Sequence, residues 1–409
     1  MAKIAILGFG TVGSGVMEVL RANVDKIRRR AGQEVKVKYI LDVRDFSDHP
    51  DAALFVNDID TILRDPEVRV VVETIGGTRF AYPYVKAALE SGRSVCTSNK
   101  EMVAAHGAEL LSLAKEHQAA FLFEASVGGG TPVITPIHQC LAANTIQSIQ
   151  GIVNGTTNFI LTKMEQEQMD FEDALKIAQQ MGYAETKDPG DDVDGLDAGR
   201  KTAILASLAF GSHVYPQTVP TQGIRAITAW DMAQAAEQGC RIKLIAHTAQ
   251  REDGTVTAGV EPMLVPCDNQ LAGVNDVFNA VLVQCDMLGD VLFYGKGAGK
   301  LPTASAVVAD VVDALKYGVS VHDSLFWQDS TPNDTMLTDP SATAYYVRAE
   351  NVDEETLRAA YGNGRVLARK EEQIVYLAEQ VDSAALQQAQ LLVENRGGSV
   401  KLVLRRLDG

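Results

Sequence analysis

Apolar residues recur along the first third of the chain in two alternating periods. Lys3–Leu7 is a short, mostly apolar run closed by a glycine turn, the pattern of a buried strand. After Gly8-Phe9-Gly10-Thr11-Val12-Gly13 the period lengthens. Val16, Val19, Leu20, Val24 and Ile27 then fall on one face of a helix, and Arg28, Arg29 and Arg30 stand near its end, where cations suit the helix dipole. Val35–Val43, Val68–Val72, Ser94–Thr97 and Ala120–Glu124 read as further strands, with helical patterns between them. Strands alternating with helices predict a doubly wound parallel sheet, an α/β fold that places ligands at the carboxyl ends of its strands.

That rule gives the polar residues at those ends a purpose. Strand, GxGxxG and helix in succession are the context that makes the glycine motif informative. Gly8 permits a tight turn, Gly10 lets the backbone approach a pyrophosphate, and Gly13 lets the helix pack closely on the strand. The helix start offers N–H groups to the anion. The second strand ends in Asp42, Arg44 and Asp45; an acid would bond the ribose hydroxyls of NAD and an arginine would favour the 2′-phosphate of NADP, so both cofactors stay open. Thr74, Gly76, Ser98 and Lys100 follow later strands, where cofactor and substrate would meet.

A second constellation runs from Gly182 to Lys201. Pro189, Gly190 and Gly195 make its first part a loop, and Leu196, Ala203, Ile204 and Leu208 repeat at helical spacing. Asp197 and Lys201 are four apart and share a helix face. Carboxylates there suit an ammonium group, and a nearby lysine suits acid–base work. The twelve-residue calcium pattern does not fit. Three further turns are rich in glycine or amide: Glu124–Pro132 with its three consecutive glycines, Gly151–Asn158, and Tyr294–Lys300 ahead of a helix at Ala304–Tyr317.

The chain has 409 residues, 46% of them hydrophobic and 22% charged, enough for a large core in two to four domains. A net charge of −16 argues against nucleic acid as a partner. Cys96, Cys140, Cys240, Cys267 and Cys285 are scattered without a CxxC pair, so zinc and disulfide frameworks are not expected and a reducing cytoplasm is the natural setting. No signal-peptide pattern and no apolar run of membrane-spanning length stand out, so no membrane is expected.

The segments ILGFGTVGSGV, VVVETIGG, TSNKE, FEASVGGGTPVI, GIVNGTTNFILTKM, GYAE, DDVDGLDAGRK and GKGAGKLPTASAVVAD resemble homoserine dehydrogenase, in family order over roughly residues 1–320. NGTTNFIL with DGLDAGRK is the specific part. The resemblance implies an oxidoreductase interconverting L-homoserine and L-aspartate 4-semialdehyde with NAD or NADP, on the route to threonine, methionine and isoleucine. It implies that Gly8, Gly10, Thr11, Val12 and Gly13 hold the pyrophosphate, and that Arg44 faces a 2′-phosphate, which tilts the cofactor toward NADP. Thr74, Ser98, Lys100, Gly182 and Gly299 would complete the cofactor cleft. Glu185, Asp192 and Asp197 would hold homoserine, Lys201 would exchange the proton, and Lys100 would stabilise negative charge. A structural sodium ion would sit on the backbone carbonyls of Glu124, Val127, Gly129 and Thr131. The stretch before Asp188-Pro189 is one residue longer than the family spacing, which leaves open whether Asp188, Asp191 or Asp192 reaches the substrate.

The expected architecture is an N-terminal Rossmann domain (1–132, rejoined by a helix near 300–317), an α+β catalytic and dimerisation domain (133–320), a linker (321–342) carrying Pro332 and Pro340, and a βαββαβ tail (343–409) resembling an ACT domain. The ACT turn Asp-x-Pro-Gly is replaced by Glu350-Asn351-Val352-Asp353, so the tail is as consistent with assembly as with regulation. A homodimer or homotetramer is implied. The competing readings are a non-catalytic nucleotide sensor and another Rossmann oxidoreductase of aspartate-derived substrates. An aspartate-semialdehyde dehydrogenase would need an acylatable cysteine, and none of the five stands in such a motif.

Overall fold

The computed structural model describes residues 1–330, 335–336 and 342–407; Pro332 and Pro340 of the expected linker lie outside the described residues. The chain forms two compact units. One comprises Met1–Gln147, Ala203–Pro216 and Val283–Pro332, the other Ser148–Thr202, Gln217–Leu282 and Asn333–Gly409.

In the first unit, strands β1 (Ala2–Leu7), β2 (Val35–Leu41), β3 (Phe55–Val56), β4 (Val68–Glu73), β5 (Ser94–Thr97) and β6 (Phe121–Leu122) form one sheet in the order β3-β2-β1-β4-β5-β6. Every pair is parallel. This is the Rossmann order, and the strand sequence reverses direction beside β1, which opens a crevice at the carboxyl ends of β1 and β4. The central strands β1 and β4 are mostly apolar and buried, as expected of a parallel sheet covered on both faces.

There are three local departures from the sequence pattern. The first helix breaks into Thr11–Ala22 and Val24–Ala31 at Asn23, whose backbone leaves the helical region, and Val24 is consequently exposed. β2 stops at Leu41; just beyond it the Asp42 carboxylate accepts the Phe9 N–H at 2.7 Å, and Val43 is exposed. The late helix starts at Lys300 rather than Ala304, since Gly299, at φ 124°, supplies a sharp entry that Ala304 does not. That helix, Lys300–Tyr317, packs on Thr11–Ala22; a Cβ on Gly15 would meet Ala304 Cβ at 3.0 Å. The segment after it is packed rather than extended. Leu325 and Trp327 are fully buried, and the Trp327 indole N–H donates to His213 Nδ1 at 3.0 Å.

The second unit is built on a sheet whose neighbouring strands are Phe278–Cys285, Ile146–Ile152, Cys240–Gln250, Val256–Pro266, Ser399–Arg406, Thr343–Glu350, Gln373–Val381 and Gly364–Lys370. Ile152, Ile245, Met263, Val265, Leu271 and Leu282 form a core on it. The tail has the expected order: strand Thr343–Glu350, helix Glu354–Tyr361, strands Gly364–Lys370 and Gln373–Val381, helix Leu386–Asn395 and strand Ser399–Arg406. Its strands pair antiparallel with each other. They enclose a core of Tyr345, Val347, Leu357, Tyr376 and Val393. Its last strand pairs parallel with Val256–Pro266, Arg405 opposite Met263, so the tail continues the sheet of this unit.

A buried charge cluster fixes that continuation. Asp231 opens the helix Ala229–Glu237 and is fully buried. Its Oδ2 accepts the Thr228 N–H and hydroxyl, and its Oδ1 accepts the Tyr346 hydroxyl at 2.7 Å and Arg348 Nε at 2.9 Å. The remaining Arg348 nitrogens reach the Ala226 carbonyl and Gln373.

Candidate functional site

The dinucleotide end of the first unit is assembled by glycine and by one buried acid. Gly8 takes φ 90°, which brings the turn under β4; the Thr74 hydroxyl donates to the Gly8 carbonyl at 2.7 Å and to the Leu7 carbonyl at 3.1 Å. A Cβ on Gly13 would lie 2.0 Å from the Gly8 carbonyl oxygen, so the helix can press onto the turn only with glycine there. Around Gly10 there is open space, nothing lying within 4 Å of an added Cβ. The helix Thr11–Ala22 has no side-chain cap, so its first amides, at Thr11, Val12 and Gly13, face that space. An uncapped helix start over a bare glycine fits a pyrophosphate.

Glu73, at the end of β4, was not singled out by the sequence. Burial pushes its carboxyl upward, opposed by four donors: the N–H groups of Ile75 and Gly76, the Thr97 hydroxyl and Asn99. Asn99 in turn donates to the Gly77 carbonyl at 2.6 Å and caps the helix Lys100–Glu116 by accepting the Met102 N–H. Glu73 thereby links the loop carrying Thr74 and Gly76 to the Ser98–Asn99 turn that leads into the helix starting at Lys100. An acid directly after three consecutive valines was the available signal.

At the tip of β2, Arg44 folds back on Asp42, with Nε 2.9 Å from Oδ1 and a terminal nitrogen 2.7 Å from Oδ2. Its guanidinium also lies over the Phe46 ring, 5.1 Å from the centroid. The arginine and the Phe9 N–H hold the Asp42 carboxyl well below the usual range, while Arg44 remains exposed. The two residue types that pull toward NADP and NAD are thus paired with each other.

The triple-glycine turn packs tightly within the same unit. Gly128 and Gly129 both take positive φ, and a Cβ on Gly129 would meet the Gly297 carbonyl oxygen at 2.3 Å. The Gly130 N–H donates to the Lys296 carbonyl at 3.1 Å, so this turn and the GKGAG loop, with Gly299 at its end, touch backbone to backbone. Buried Glu124 closes the turn by accepting the N–H groups of Val133, Ile134 and Thr135 at 2.6, 2.9 and 2.7 Å. No group of three or more His, Cys, Asp or Glu side chains is arranged for a metal among the described residues.

The second unit holds the acid–base cluster. Helix Leu196–Phe210 places Asp197 and Lys201 one turn apart, both largely buried. Lys201 Nζ donates to Asp197 Oδ2 at 2.7 Å and to the Val153 carbonyl at 2.7 Å. Asn154 Nδ2 reaches Asp192 Oδ1 at 2.7 Å and Asp197 Oδ2 at 2.8 Å. Of the three aspartates left open by the loop spacing, Asp192 therefore enters the cluster. Asp191 instead pairs with Arg200, 2.7 Å from each carboxylate oxygen, and Asp188 caps the Gly190 N–H. Gly182, at φ 74°, and Glu185 are exposed on the preceding loop, with the Glu185 carbonyl accepting from Gln179. Asn154 and the Val153 carbonyl were not among the expected site residues; the signal for the first was an Asn-Gly-Thr-Thr start after a strand.

The comparisons with known proteins cover both units. A homoserine dehydrogenase NAD-binding domain model matches residues 8–124, and a homoserine dehydrogenase model matches residues 132–312. A homoserine dehydrogenase of Neisseria gonorrhoeae is 41% identical over 361 residues, covering 86% of this chain and 82% of that one. The chain belongs to the homoserine dehydrogenase family. The crystal structure of a homoserine dehydrogenase from Thiobacillus denitrificans superposes with a TM-score of 0.89 at 35% identity, covering 100% of this chain and 98% of that one. A hyperthermophilic archaeal homoserine dehydrogenase in complex with NADPH superposes with a TM-score of 0.66 at 31% identity, over 76% of this chain and 97% of that one. Homoserine dehydrogenase function makes this chain an oxidoreductase with an NAD(P)-binding Rossmann domain and a catalytic domain. The nucleotide sensor and the other aspartate-derived dehydrogenases give way to it.

Proposed function

We propose that the chain interconverts L-homoserine and L-aspartate 4-semialdehyde with Lys201 as the proton donor and acceptor. The observation that carries this is the seating of Lys201 Nζ between the Asp197 carboxylate and the Val153 carbonyl. Two acceptors fix the ammonium and leave it one further donor direction for a substrate oxygen. The nicotinamide cofactor, when bound, supplies or accepts the hydride. Gly8, Gly10, Thr11, Val12 and Gly13 would hold its pyrophosphate, and Thr74, Ser98 and Gly299, together with Gly182, are the further residues assigned to it. In the reductive direction Lys201 protonates the oxygen that gains charge; the role given to Lys100 is to stabilise negative charge. Asp192, Asp197 and Glu185 hold the ammonium and hydroxyl groups of the amino acid through charge-assisted hydrogen bonds.

NADP is the favoured cofactor in this reading. Arg44 is exposed and already shaped for a bidentate anion, and a 2′-phosphate would compete with Asp42 for it. A structural sodium ion would rest on the carbonyls of Glu124, Val127, Gly129 and Thr131. The support is a turn that two left-handed glycines curl back on itself and that Glu124 pins shut. The tail acts as an ACT-like module in a homodimer or homotetramer. Its βαββαβ order, and a final strand that extends the catalytic sheet, support a part in assembly. Five free cysteines suit a cytoplasmic setting.

The test is steady-state turnover of L-homoserine with NADP and NAD side by side. The reading expects turnover with both and a higher kcat/KM with NADP. A folded sample that turns over with neither would overturn it.

A further inference from the structure

Asn154 sits where two different tasks meet. It precedes the helix Gly155–Glu167, and its Oδ1 accepts the Thr157 N–H at 2.8 Å and the Thr157 hydroxyl at 3.0 Å. That is a helix N-cap, a position that serine, threonine and aspartate fill about as well as asparagine. Capping fixes which way the amide points. With its oxygen occupied by two donors, the NH2 group must face away from the helix.

On that side lie two carboxylates from separate segments. Asp192 belongs to the short turn Gly190–Val193 and Asp197 to the helix Leu196–Phe210. Asn154 Nδ2 has two hydrogens, and Asp192 Oδ1 at 2.7 Å and Asp197 Oδ2 at 2.8 Å take one each. Asp197 Oδ2 is the same atom that receives Lys201 Nζ. Of the residues that cap a helix well, only asparagine accepts on one side and donates twice on the other. Two carboxylates brought to one point repel, and a neutral amide between them offsets this with two charge-assisted bonds. Asp192, Asp197 and Lys201 are charged groups of this cluster, while Asp191 and Arg200 pair with each other.

We infer that Asn154 is a positioning residue for the dehydrogenase reaction, holding Asp192 and Asp197 at a fixed spacing and, through Asp197, aiming Lys201. This rests on the proposed role of the Asp192–Asp197–Lys201 cluster and adds to it the residue that builds it.

The test uses Asn154→Ser and Asn154→Asp in the full chain, because both keep a capping oxygen and remove the amide donors. Asn154→Ser should melt close to the parent, whereas Asn154→Asp should melt lower because its carboxylate faces two others. Asn154→Ser should lose about 10- to 100-fold in kcat/KM for homoserine, the scale of hydrogen bonds to charged groups. The acid limb of its pH profile should move up by about one unit, as the two carboxylates become harder to ionise together. Asn154→Asp, which adds a third carboxylate, should lose more and shift further. KM for the cofactor should not change in either. A purely structural role would lower the melting point of Asn154→Ser and leave the pH profile where it was, and that result overturns the inference. So does a parental kcat/KM and pH profile in both variants. Lys201→Ala run in parallel separates the two levels. If it is inactive while Asn154→Ser is parental, the positioning role is wrong and the cluster stands. If Lys201→Ala keeps full activity, the reading of the cluster itself is wrong.

Discussion

Lys201 Nζ lies 2.7 Å from Asp197 Oδ2, one helical turn earlier on Leu196–Phe210, and both side chains are largely buried. A buried lysine paired in this way keeps one rotamer, so its remaining donor direction is set before substrate arrives. Asp197→Asn keeps the shape and removes the charge. It is expected to lower kcat for homoserine oxidation by about 10²-fold, the lower scale for a disturbed acid–base group. Cofactor KM should stay near the parent, while melting should fall because the Lys201 ammonium loses its buried counter-charge. Steady-state kinetics with saturating cofactor checks this, and a parental kcat would detach Asp197 from the chemistry.

Arg44 and Asp42 make a second coupled pair, and their coupling predicts a change in opposite directions for the two cofactors. Arg44→Ala removes the guanidinium and leaves the Asp42 carboxylate, still anchored by Phe9 N–H, free of its bidentate partner. The kcat/KM with NADP should fall by about 10-fold or more, the worth of a charge-assisted pair, while that with NAD holds or rises. Equal losses with both cofactors would show that Arg44 does not read the phosphate.

The tail is joined to the catalytic sheet through a charge that has no exit to water. Arg348→Met leaves Asp231 buried with its cation gone, a loss of about 3–5 kcal/mol for breaking one side of a buried pair. Tyr346→Phe removes one hydrogen bond to the same carboxylate and should cost less, about 1.5–3 kcal/mol. Urea titrations of the variants measure both. An Arg348→Met protein as stable as the parent would mean that the cluster does not secure the tail.

His138 predicts how stability changes with acid. Burial and the neighbouring His322 push it down from 6.5 to about 4, and its Nδ1 meets Ser324 Oγ at 2.9 Å. The folded state therefore keeps this ring neutral where the unfolded chain would protonate it. Its contribution is complete above pH 6.5 and is lost as pH falls from there toward 4, by up to about 3 kcal/mol at 1.36 kcal/mol per pKa unit. In His138→Gln the difference in unfolding free energy between pH 7 and pH 4.5 should be smaller than in the parent. Equal pH dependence in the two proteins would contradict it.

The sequence made the first unit readable because its signals are local. A glycine turn, an apolar strand and an amphipathic helix adjoin each other, and the parallel order follows from their alternation. The edge strand Phe55–Val56 escaped because two residues carry no periodicity. The helix break at Asn23 and the early start at Lys300 are boundary effects decided by single backbone angles. In the cluster, Asp197 and Lys201 were legible from their spacing of four. Asp192 could not be told from Asp188 and Asp191, because what separates them is Asn154, 38 residues away from Asp192 in sequence. Glu73 was hidden for the same reason, since its partners Thr97 and Asn99 come from the next strand's end.

The central claim is that Lys201 moves the proton as hydride moves. Single-turnover oxidation of bound L-homoserine by Lys201→Ala, followed at the nicotinamide absorbance with NADP, tests it most directly. The rate should fall by about 10²-fold or more, the range for loss of a positioned acid–base group, with cofactor affinity unchanged. A single-turnover rate equal to the parent's would contradict the account.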